Sequence, residues 1–81
     1  MHEASALRAL VAKVIESAAG ARVTSIHVAV GTGSHLSTEQ IARALPIFAH
    51  GSVAEHARVF FEAARIDDDP ADVRLVSIEV E

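Results

Sequence analysis

At Gly20 the spacing of apolar residues changes period. Ahead of it, Leu7, Leu10, Val11, Val14, Ile15 and Ala18 recur at i, i+3, i+4, i+7, i+8 and i+11, one face of an amphipathic helix, with Arg8, Lys13, Glu16 and Ser17 between them. Behind it, RVTSIHVAVG alternates, with Ile26, Val28 and Val30 on one side and Ser25, His27 and Ala29 on the other. A helix over 3–19 therefore gives way to a half-buried strand, and Gly20 stands where a left-handed C-terminal cap belongs. A chain of 81 residues can bury only about 60–65% of its unfolded surface, so both elements must share a single core.

The rest of the chain reads as three more elements. GTGSHLS is a loop of glycine and small polar residues that runs into Ser37-Thr38-Glu39-Gln40, the spacing of a capping box, so a second helix begins at Thr38. Its inner face is Ile41, Leu45 and Phe48 with Ala44 and Ala49, and Pro46 predicts a kink or break because it cannot donate to the carbonyl of Ala42. Gly51 ends that element. The following SVAEHARVFFEAARI fits either period: Val53, Ala57, Phe60, Phe61 and Ala64 suit a helix, whereas Val59, Phe61 and Ala63 suit a strand, and local propensity leans helical. DDDPAD is a turn, and VRLVSIEVE is a closing strand with Val76, Ile78 and Val80 facing one way and Glu79 and Glu81 the other.

Composition removes several function classes. Hydrophobic residues are 51% of the chain and Phe48, Phe60 and Phe61 are its only aromatics, so the core is built from Ala, Val, Leu and Ile. The net charge of -4 and the scatter of seven Lys and Arg residues offer no basic surface, which argues against nucleic acid. No apolar run nears the roughly 20 residues of a membrane span, and no secretory pattern opens the chain, so no membrane role and a cytoplasmic location are expected. Zero Cys excludes disulfides, a thiolate zinc site and a thiol nucleophile. No G-x-S-x-G elbow, H-E-x-x-H pair or phosphate-cradling G-x-G-x-x-G is present, so an enzyme is not expected.

The chemistry that remains is at the amino terminus, Met1-His2-Glu3. A free amine, the next amide nitrogen and the imidazole of His2 can close chelate rings on one ion, three nitrogens from two residues. An α-amine ordinarily titrates at about 7.7–8.0 and an imidazole at about 6.5, so a cation can displace either proton near neutral pH. Planar nitrogen and oxygen ligation suits Ni(II) and Cu(II). The same residues also read as an ordinary solvated terminus. Of the other histidines, His27 reads as a polar-face strand residue, His50 suits the negative end of a helix, and His56 reads as a surface residue. His35, in the loop before the second helix, could swing toward the terminus or be a solvated loop residue.

Taken in order, MHE at the head of an amphipathic helix, RVTSIHVAVG, the AEHA of residues 54–57 and the closing SIEVE resemble the hydrogenase nickel-insertion accessory proteins of the HypA/HybF type. The resemblance implies that Met1, His2 and Glu3 bind one Ni(II). It also implies delivery to the hydrogenase large-subunit precursor with the help of a nickel-handling GTPase. Two departures from the family pattern stand out. A zinc domain with two Cys-x-x-Cys pairs is absent, replaced by the turn 67–72, so residues 1–81 form a single nickel-binding-type domain without zinc. In the loop after the first strand, Gly31 and Ser34 persist, but Thr32 stands in place of a glutamate and Ser37 in place of an acid, leaving His35 or water as the fourth ligand.

The resemblance further implies a strand over 58–66. The expected fold is α/β, order α-β-α-β-β, with two helices on one face of a mixed three-stranded sheet and the last two strands paired as a hairpin. Open sheet edges give two copies a route to a homodimer. The alternative function is a metal-free protein-binding or regulatory module that kept the fold and lost delivery.

Overall fold

The computed structural model describes residues 2–67 and 73–81, with side chains described from Ala4 onward. Five elements follow in the order α1 (His2–Ala18), β1 (Val23–Val30), α2 (Thr38–Phe48), β2 (Arg58–Ala63) and β3 (Val73–Val80). The two helices and the mixed three-stranded sheet are those expected.

Helix α1 buries Leu7, Leu10, Val11, Val14 and Ala18, the predicted stripe, while Ile15 at its margin is 41% exposed. The helix stops where backbone φ turns positive, at Ala19 (50°) and Gly20 (89°), and Ala21 N–H closes the end on Ala18 O at 3.0 Å. Gly20 adopts this conformation freely. Ala19 does so against the clash between Cβ and the carbonyl, which costs roughly 1–2 kcal/mol.

Helix α2 starts on the capping box. Ser37 Oγ accepts from Gln40 N–H at 3.1 Å and Ser37 N–H donates to Gln40 Oε1 at 2.8 Å. Leu36 and Ile41, at the two positions of a hydrophobic staple, are both buried in the core. The helix continues through Pro46 to Phe48 instead of breaking there. Pro46 lies in the last turn, where only one internal bond is forfeited, and Ala49 N–H still reaches Leu45 O at 2.9 Å.

The segment after α2 takes turns as far as His56 and then the extended form, so the strand reading of 58–63 prevails over local helical preference, and β2 ends at Ala63, short of residue 66. Tertiary pairing decides this. Val23 N–H donates to Val53 O at 3.0 Å, and Val59 and Phe61 pack against the core while Phe60 faces away.

Sheet order is β2-β1-β3, parallel between β1 and β2 and antiparallel between β1 and β3. The expected hairpin is therefore incorrect: β2 and β3 do not pair with each other. β1 carries the most apolar strand, with Ile26 2% and Val28 0% exposed, and it takes the centre, where both of its edges are covered. Ala63 and Val73 each stand opposite Val30, so residues 64–72 connect strands on either side of it, across two spacings of about 4.8 Å. A hairpin loop typically needs only about 2–5 residues.

The phase of β3 also needs correction. A register shift falls between His27 and Val28, so Ser77 and Leu75 are the consecutive partners and Val76 has none. Val73, Leu75 and Ile78 consequently pack against the core in place of the Val76, Ile78 and Val80 set, and Val80 is 45% exposed. One apolar cluster holds residues of both helices and this face of the sheet, which leaves the opposite face bare of helices.

Candidate functional site at the helix-start end

Helix α1 is joined to β1 by residues 19–22, so it runs back along the sheet against the direction of β1. Seventeen helical residues rise about 25 Å. The eight residues of β1 span about 26 Å. The start of α1 therefore lies at the end of the molecule where β1 runs into the loop 31–37. Helix α2 starts from that same loop. Two helix starts and a glycine-containing loop thus meet at one end. The turn expected over 67–72 lies, from residue 68 on, outside the described residues.

Of the predicted metal ligands, Met1 lies outside the described residues. His2 and Glu3 form the first helical positions of α1, and their side chains lie outside the described ones. His35 is exposed in the loop, flanked by Ser34, whose hydroxyl accepts from Leu36 N–H at 3.1 Å, and by buried Leu36 itself. The loop is thus anchored on both sides of His35 while the imidazole faces solvent. A turn closes the loop behind it, Ser34 N–H donating to Gly31 O at 3.1 Å. Ser37, at the position of the family's acid, uses its hydroxyl to cap α2. Among the described residues no group of three His, Cys, Asp or Glu side chains could hold a metal ion.

The remaining histidines lie elsewhere. His50 falls two residues beyond α2, and its Nδ1 sits 2.8 Å from Glu55 Oε1. His56 Nε2 is 3.9 Å from the other oxygen of that carboxylate. With Pro46 and Ile47 these three line a shallow open recess of about 500 Å3 at the opposite end from the start of α1. His27 occupies the middle of the bare sheet face, as its polar-face reading required. Its Nε2 is 3.2 Å from Glu79 Oε1 and its Nδ1 is 3.6 Å from Glu62 Oε2. The hydroxyl of Ser25 donates to the same Glu79 carboxylate. That bond, with the contact from His27, holds the Glu79 carboxyl below its ordinary range. Sequence reasoning missed this group because its members come from three strands; only the strand register joins them.

No helix among the described residues is long and apolar enough to cross a membrane. Comparison with known families gives a clear match: the family described as hydrogenase/urease nickel incorporation, metallochaperone, hypA, aligns with residues 1–68. No curated protein matches the chain significantly. The match spans both helices, β1 and β2 and begins at the Met-His-Glu terminus. The chain belongs to the HypA nickel-incorporation family.

Proposed function

Starting from that membership, we propose that the protein is a nickel carrier for hydrogenase maturation, taking one Ni(II) through the Met1 amine, the following amide nitrogen and the His2 imidazole, with Glu3 beside the ion. His35 supplies a further in-plane position. The ion is cargo, passed to the hydrogenase large-subunit precursor with a nickel-handling GTPase in the cytoplasm, and the protein performs no catalysis of its own. Residues 1–81 act as one domain, with the turn 67–72 in place of the zinc domain. Its exposed strand edges are where two copies would pair.

The observation that carries this reading is the family match beginning at the Met-His-Glu terminus. The start of α1 and the His35 loop lying toward the same end of the sheet supports it. The metal-free alternative draws on one specific observation: Ser37 is occupied as a helix cap where the family has an acid.

Calorimetric titration with Ni(II) separates the two readings. One ion per chain is expected for wild type, with binding abolished in His2→Ala and in a chain extended by one N-terminal residue. Unchanged binding by the extended chain would show that the terminus is not the site. His35→Ala should bind more weakly with stability nearly intact, and should release fewer protons on binding near pH 6.5 than wild type; equal release removes His35 from the site. Folding should survive EDTA, and loss of the circular dichroism signal would contradict the absence of structural zinc.

A further inference from the structure

The bare face of the sheet holds a group unrelated to the amino terminus. His27, 25% exposed in its side chain, stands in the central strand with a carboxylate at each ring nitrogen: Glu62 of β2 at Nδ1 and Glu79 of β3 at Nε2. Phe60, directly opposite His27 in the register, stacks on the ring with centroids 5.1 Å apart and planes inclined by 16°. The stacking fixes the ring plane so that its two nitrogens point to opposite edges of the sheet. Ser25 holds the Glu79 carboxylate from its other side.

A neutral imidazole has one N–H, and its other nitrogen presents a lone pair. Between two carboxylates, that ring can donate to only one of them, and its lone pair faces the charge of the other. The imidazolium donates to Glu79 and at the same time attracts the Glu62 carboxylate as an ion pair. We propose that His27 is a pH-dependent clamp, which on protonation ties both outer strands to the central one. Both arms are engaged when the ring is charged, and only one when it is neutral. The low-lying Glu79 carboxyl keeps that arm charged into the acid range.

The charged neighbours are few. β2 adds Arg58 opposite Ser25, and β3 adds Arg74 opposite Ala29, which has interactions of its own. β1 contributes no other titratable group to this face, and both helices pack on the far side.

Urea unfolding at pH 8 and pH 6 tests the clamp with wild type, His27→Gln, a Glu62→Gln/Glu79→Gln double variant and a His50→Gln/His56→Gln control. Gln offers one donor and one acceptor at every pH and so imitates the neutral ring. On acidification the folded-to-unfolded ratio of wild type should rise roughly two- to fivefold relative to His27→Gln, a size set by the solvent screening of Glu62 and Glu79. The rise should vanish in the double Glu variant and persist in the control. Equal pH dependence in wild type and His27→Gln overturns the proposal, as does a rise lost only in the control. Should His27→Gln fail to fold, the ring titration of His27 followed by NMR decides. A lower midpoint in Glu62→Gln than in wild type supports the clamp, and an unchanged midpoint overturns it.

Discussion

The two faces of the sheet are held by different forces. On the covered face, Ile26 and Val28 of β1 meet Leu10, Val14, Ile41 and Leu45 of the helices in one cluster, and none of these is more than 4% exposed. On the bare face, at the position between those two on the same strand, His27 is flanked by carboxylates that are 48% and 68% exposed. One face relies on area removed from water, which has no pH term. The other relies on charges in contact with water, which pH and salt both alter. A three-stranded sheet with helices on one side only has no second core to build, so its open side is free to respond to the medium.

The sharpest way to break this contrast is to cut into the covered face. Ile26→Ala should cost about 2–5 kcal/mol, since it removes three carbons from a site that closes poorly, and the loss should be the same at pH 8 and pH 6. Denaturation at both values checks it; a pH-dependent loss would mean the faces are coupled. On the bare face, Phe60→Ala should cost about 0.5–1.5 kcal/mol for the stacked pair. It should also reduce the gain on acidification, because the ring of His27 is no longer held in its plane. The smallest effect belongs to Glu79→Gln. A carboxyl held below its ordinary range contributes stability above that range and loses it as pH falls through the lowered value. The variant should therefore trail wild type near neutrality and match it in strong acid, as unfolding curves from pH 7 to pH 2 will show.

What could be read from the sequence divides along similar lines. Helix α1 and the Ser37–Gln40 cap were legible because their signals lie within one or two turns of chain. The strand at 58–63 was not legible from its own residues, since Phe60 and Phe61 serve both periods, and the family likeness was needed to choose. The β2–β3 hairpin misled because adjacency in sequence is a weak guide once a more apolar strand competes for the centre. Val76 misled because a bulge shifts phase without leaving a mark in the residue pattern. For the candidate site, Met1, His2, Glu3 and His35 could be named from sequence, whereas the His27 group could not. Its Glu79 contact spans 52 positions, and no local pattern encodes such a distance.

The connection between β2 and β3 begins and ends on opposite sides of Val30, roughly 10 Å apart, and so behaves as a socket. Any segment whose own ends are that close can be seated there without disturbing the sheet, and each doubling of its length costs only about 0.6 kcal/mol in closure entropy. A nine-residue link and an entire folded insert are therefore nearly interchangeable to the frame that carries them. Gain or loss of such a module can proceed in evolution while the strands beneath it stay in register.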